Sequence, residues 1–129
     1  KNYHIPLFIY APKYISAREI TKISSQIDIA PTLLSLLGIS YKSWFFGRNI
    51  LDEEFDERAF IGNHQKLALY KDNKMVIMSP KNEISIVDDP YNNEELKKDI
   101  NTTDPLVQET MSYYQGAYYV ISNKLNRWN

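Results

Sequence analysis

Residues Ser24–Gly38 (SSQIDIAPTLLSLLG) limit what this chain can fold into more than any other stretch. Leu33, Leu34, Leu36 and Leu37 recur at helical spacing, with Ile29 and Ala30 one turn earlier. Gly38 then supplies a left-handed stop. Two helix starts compete. Ser25 with Asp28 three residues on has the form of a capping box, with Asp in place of Glu. Asp28 as the N-cap itself puts Pro31 in the first turn, where its missing N–H costs little. Starting at Ser25 puts Pro31 deeper, where it kinks a helix. A partly irregular first turn satisfies both. Asp28 is acidic and sits near a threonine, yet helix capping, with Thr32 one turn on, accounts for it without chemistry.

Before this segment, His4–Tyr10 (HIPLFIY) is a continuous apolar run ended by Ala11-Pro12, the pattern of a strand buried on both faces. Pro6 belongs near its beginning or where no ladder donor is needed. Residues 13–24 read as a surface connection pinned by Ile15, Ile20 and Ile23. After the helix, Ile39–Leu51 (ISYKSWFFGRNIL) reads as a packed aromatic loop centred on Gly47, and Asp52–Glu57 as a solvated acidic face. Four short apolar runs follow: Arg58–Gly62, Lys66–Tyr70, Lys74–Met78 and Glu83–Val87. The breaks between them, Asn63-His64, Asp72-Asn73 and Pro80-Lys81-Asn82, are turn chemistry, so an antiparallel meander is expected. Asn92–Thr103 is polar. Asp104-Pro105 then opens a long helix, as an N-cap with proline at the first helical position. Its expected buried stripe is Leu106, Thr110, Tyr113 or Tyr114, Ala117, Val120, Ile121 and Leu125.

Composition narrows the function classes. At 43% hydrophobic and 13% aromatic, the 129 residues build a core rather than a disordered chain. The net charge is −1 and the fifteen basic residues are dispersed, which argues against a nucleic-acid partner. Cysteine is absent, so disulfides, thiolate metal sites and a cysteine nucleophile are excluded. No stretch reaches the roughly 20 apolar residues that span a bilayer. The chain enters an apolar run almost at once, without a signal peptide, and Lys1 reads as a truncation point.

The order HIPLFIYAPK, SSQIDIAPTLLSLLGI, FFGRNIL and AFIGNHQKLALYKDNKMVIMSP resembles the C-terminal part of the sulfatase-like branch of the alkaline phosphatase superfamily. Within it, the likeness is closest to the lipoteichoic acid synthase and membrane phosphoglycerol transferase group. It covers roughly residues 1 to 90, and Gln26, Asp28, Pro31 and Thr32 carry most of it. The resemblance implies an α/β fold: the C-terminal part of an alkaline-phosphatase-like domain, with a small antiparallel meander and a C-terminal helix. Residues 1–51 would be the strand-loop-helix portion of the core, and 52–129 a C-terminal subdomain. It also implies a parent enzyme that transfers phosphoryl or sulfuryl groups with a divalent metal, anchored in a bacterial envelope membrane and facing the periplasm or the outside.

The nucleophile and metal ligands of such enzymes lie in earlier segments, including one of Asp-His-Gly type, and no counterpart occurs here. No catalytic residue and no metal ligand is therefore assigned, and the piece alone is expected to be inactive and to bind no cofactor. Two residues are candidates for substrate contact. His4, at the strand edge, is placed to meet a phosphate or sulfate group, or to bond a backbone carbonyl instead. Arg48, after Gly47 in the aromatic loop, has the geometry to pair with an anion, or to stand solvated. His64 and Gln65 fall in a turn and are expected at the surface. Tyr113, Tyr114, Tyr118 and Tyr119 read as a packing face of the last helix.

The expected partner is the remainder of the parent enzyme. A leucine-rich helix and a strand apolar on both faces need cover on more than one side, and leaving them wet costs several kcal/mol at about 25 cal/mol per Å². Isolated, the chain is expected to dimerise or exchange strands through His4–Tyr10. The alternative is an autonomous protein-interaction module without catalysis, presenting the meander and the tyrosine-rich helix.

Overall fold

In the computed structural model the described residues are 4–44, 46–63, 65–92 and 102–126. The fold is mixed α/β: a short helix, a four-stranded antiparallel sheet and a long helix. Residues Gln26–Asp28 form one 3-10 turn, and helix α1 runs Ile29–Leu36 from its end. The two competing starts thus coexist, the tight turn leaving Pro31 where it breaks nothing. Gly38, at φ 66°, closes α1. Its N–H bonds Ser35 O and the Ile39 N–H bonds Leu34 O, both at 3.0 Å, the paired reversal that satisfies the last carbonyls of a helix.

The meander comprises β1 (Ala59–Gly62), β2 (Leu67–Lys71), β3 (Lys74–Ser79) and β4 (Glu83–Asp88), in that spatial order. Each strand begins or ends within a residue of its expected position. The β2–β3 hairpin pairs Lys71 with Lys74 across two residues, Asp72 and Asn73, both at positive φ. That is the turn whose twist matches the strands, and Asp and Asn tolerate it best after glycine. In the β1–β2 turn the Asn63 carboxamide oxygen accepts from the N–H groups of Gln65 and Lys66.

Helix α2 (Pro105–Ser122) starts with Asp104 accepting from the Leu106 N–H at 2.9 Å and lies against β2 and β3. Register aligns Phe60, Leu69, Val76 and Ile86 across the sheet. Phe60 meets Tyr113 and Tyr114 edge-on, with ring centroids 4.8 and 6.2 Å apart. Leu69, Val76 and Val107 are fully buried, and the Tyr114 hydroxyl donates to Ala68 O at 2.9 Å.

Three expectations need correction. The buried side of α2 is set by Val107, Thr110 and Val120, with Ile121 64% exposed. In the adjacent apolar pairs Leu106–Val107 and Val120–Ile121, helical periodicity alone does not fix the phase, and the valine turns inward each time. His4–Tyr10 forms no ladder among the described residues, and all seven residues are exposed. A strand of that kind needs sheet neighbours and two apolar layers, which the described residues do not provide. The tyrosines of α2 also divide: Tyr113 and Tyr114 pack on Phe60, whereas Tyr118 and Tyr119 are exposed.

Candidate functional site

The most constrained polar site lies where the 3-10 turn, the Gly47 loop and the entry to β1 converge. Asp28 and Arg58 both have zero exposure there. The Asp28 carboxylate accepts from the Ser25 N–H at 2.9 Å, the return bond of a capping box. It also accepts from the Arg48 N–H at 2.8 Å and from the Arg58 guanidinium at 3.3 Å. The two backbone bonds are the shorter ones, so Asp28 is held chiefly by main-chain donors and the ion pair is secondary.

Arg58 also donates to Phe46 O at 3.1 Å. Its guanidinium carbon lies 5.5, 5.3 and 6.0 Å from the ring centres of Phe55, Phe60 and Tyr113. Aromatic faces attract a delocalised cation and tolerate its burial. The Nε atom has no hydrogen-bond partner.

The Phe46–Gly47–Arg48 loop is therefore clamped at both ends, at Phe46 O by Arg58 and at the Arg48 N–H by Asp28. Gly47 is required between them: a Cβ there would sit 1.9 Å from Ile27 O. Thr32 extends the seam, donating to Asp28 O at 2.6 Å and accepting from the Ile50 N–H at 3.0 Å. The Ser25 hydroxyl oxygen accepts from the Phe60 N–H, and the Glu57 carboxylate from the Ile23 N–H. These bonds join residues 23–50 to the start of the sheet, through buried or part-buried groups except at the exposed Glu57 carboxylate.

A second charged cluster lies nearer solvent. Lys71 on β2 donates to Asp56 at 2.9 Å and to Glu109 of α2 at 3.0 Å. Burial lowers the Lys71 pKa, but the hydrogen bonds and negative charges of the two carboxylates outweigh it, and the net shift is upward.

The residues expected to touch substrate fall outside both clusters. His4 is exposed in the N-terminal segment. Arg48 is exposed in its loop, where the clamp holds its backbone and leaves the side chain outward. Among the described residues, no hydrogen bond or ion pair joins the two. His64 lies outside the described residues. In the sequence Arg58 marks only the start of a strand: a lone arginine heading the apolar run AFIG is the one signal, and its partner stands thirty residues away. Among the described residues, no three His, Cys, Asp or Glu side chains converge on a metal-sized site. Among them, too, no helix is long and apolar enough to cross a membrane.

No protein-family model matches the chain. Its fold does match a solved structure, that of a protein in the alkaline phosphatase superfamily from Vibrio parahaemolyticus. The TM-score is 0.71 at 21% identity, over 84% of this chain and 27% of that one. The chain thus has the fold of about a quarter of that longer protein.

Proposed function

We propose that this chain is the C-terminal portion of a metal-dependent phosphoryl- or sulfuryl-transfer enzyme of the sulfatase-like branch, nearest the phosphoglycerol transferase group. The fold likeness over 84% of the chain carries the reading, together with the SSQIDIAPTLLSLLGI segment that occupies its constrained seam. In such an enzyme a divalent metal neutralises charge on the transferred group and lowers the pKa of the nucleophile. The residues here shape the site instead. The Asp28–Arg58 clamp fixes the Gly47 loop, and Arg48 offers a planar two-pronged donor to an anionic ester. His4 is the second candidate contact. The parent is proposed to be anchored in a bacterial envelope membrane, with its catalytic domain facing outward.

The test compares the protein including its upstream sequence with residues 1–129 alone, on phosphate and sulfate esters with added divalent metal. Turnover is expected only with the upstream sequence present, and Arg48→Ala there is expected to raise KM about tenfold, the loss of one charge-assisted contact. Turnover by residues 1–129 alone would overturn the proposal and favour an independent module.

A further inference from the structure

Glu109, Ser112, Tyr113 and Gly116 of α2 follow one another at three- and four-residue spacing, so they form one stripe along the helix. The Phe46 ring lies against the far end of that stripe, where a Cβ at Gly116 would meet a ring carbon at 3.7 Å. Between the loop and the helix is an open cleft of about 440 Å³, lined by Phe46, Glu109, Ser112 and Tyr113. That volume lies within the range of small-molecule sites, about 300–1,000 Å³.

The charges at the cleft select what it can take. Lys71 donates to both oxygens of the Glu109 carboxylate, at 3.0 and 3.2 Å, and to Asp56 at 2.9 Å. Two carboxylates against one ammonium leave this cluster with one uncompensated negative charge. Arg58, 6.0 Å from the centre of the Tyr113 ring, does not offset it, being fully buried and paired with Asp28. An anion entering the cleft would therefore meet net repulsion. The Glu109 side chain remains 30% exposed, so a ligand can reach it. Phe46 and Tyr113 supply aromatic walls, and aromatic faces attract cations through their quadrupole as a carboxylate does through its charge.

We propose that the cleft between Phe46 and α2 binds a small organic ammonium ion with an apolar body. The charge lies toward Glu109 and the body between Phe46 and Tyr113. The Ser112 hydroxyl, exposed at the same stripe, offers an acceptor to an ammonium N–H. The lining residues all belong to this chain, so the proposal does not rest on the enzymatic reading.

The test titrates residues 1–129 with benzylammonium, with benzyl alcohol as a neutral molecule of similar shape and with benzoate as an anion, by calorimetry. Benzylammonium is expected to saturate at one per chain and to bind at least tenfold more tightly than benzyl alcohol or benzoate, with an advantage that shrinks in salt. Glu109→Gln should abolish that advantage and leave benzyl alcohol unchanged. Lys71→Met leaves the two carboxylates unopposed and should tighten benzylammonium severalfold. Phe46→Leu should weaken it, and Glu83→Gln, an exposed acid on β4 away from the cleft, should change nothing. Loss of fold would weaken binding in every variant, so opposite responses to Glu109→Gln and Lys71→Met separate charge from misfolding. Absence of saturable binding, equal affinity for benzyl alcohol, or the same direction of change in those two variants would overturn the proposal.

Discussion

The seam around Asp28 and the cluster around Lys71 each gather several polar groups about one cation, but they differ in access to water. Asp28 and Arg58 are sealed, whereas the side chains of Lys71, Asp56 and Glu109 remain 17, 36 and 30% exposed. A sealed charge that loses its partner cannot be rescued by solvent, while an exposed one is simply hydrated. The two sites should therefore respond to the same kind of truncation by very different amounts.

The seam gives the larger effect. Asp28→Ala is expected to cost about 3–5 kcal/mol, because it leaves the Arg58 charge buried without its anion; Arg58→Ala should cost less, because the Ser25 and Arg48 N–H groups still hold the Asp28 carboxylate. Asp28→Ala also strips the Ser25 and Arg48 N–H groups of their acceptor. The double variant should cost less than the sum, since each single change already breaks the pair. Gly47→Ala should cost about 3 kcal/mol by forcing the loop off Ile27 O. Urea denaturation of residues 1–129 measures all four. Additive losses, or a tolerated alanine at position 47, would show that the seam is not the clamp described here.

Lys71→Met should cost about 1 kcal/mol, and the loss should shrink with added salt, because the cluster is partly solvated. The Arg58→Ala loss should hardly respond to salt. Equal salt dependence at the two sites would erase the distinction between them.

The legibility of the sequence follows the same divide. The meander, its Asp72-Asn73 turn, the Asp104-Pro105 start and the Gly38 stop are local: each depends on a few neighbouring residues and their backbone preferences. The role of Asp28 was half legible. The capping bond to Ser25 lies three residues away, but those to Arg48 and Arg58 span 20 and 30 residues, and one sequence carries no sign of such pairings. Gly47 stood out as the centre of an aromatic loop, yet the reason for it, close approach to Ile27 O, is a tertiary fact. The failed ladder at His4–Tyr10 is instructive in another way. The pattern reports what the segment is built to be covered by, and the described residues supply no such cover.

The smallest expected effect concerns alkaline pH. Burial raises the Tyr114 pKa against the opposing bond to Ala68 O, and burial followed by the charges of Tyr91 and Asp89 raises that of Tyr70. The Lys71 pKa is raised as well. For each group the folded value lies above the unfolded one. Its contribution is therefore complete below the ordinary value, near 10 for tyrosine and 10.4 for lysine, and disappears as pH rises through the folded value. Stability should be flat in these groups through neutrality and fall above about pH 10. Tyr114→Phe should cost about 0.5–1.5 kcal/mol at pH 8, the loss of one hydrogen bond, and should make the alkaline fall shallower. Phenolate absorbance should show Tyr114 and Tyr70 ionising above the ordinary tyrosine value. If Tyr114→Phe leaves the alkaline limb unchanged while Lys71→Met flattens it, the fall belongs to the Lys71 cluster and not to the aromatic packing of α2.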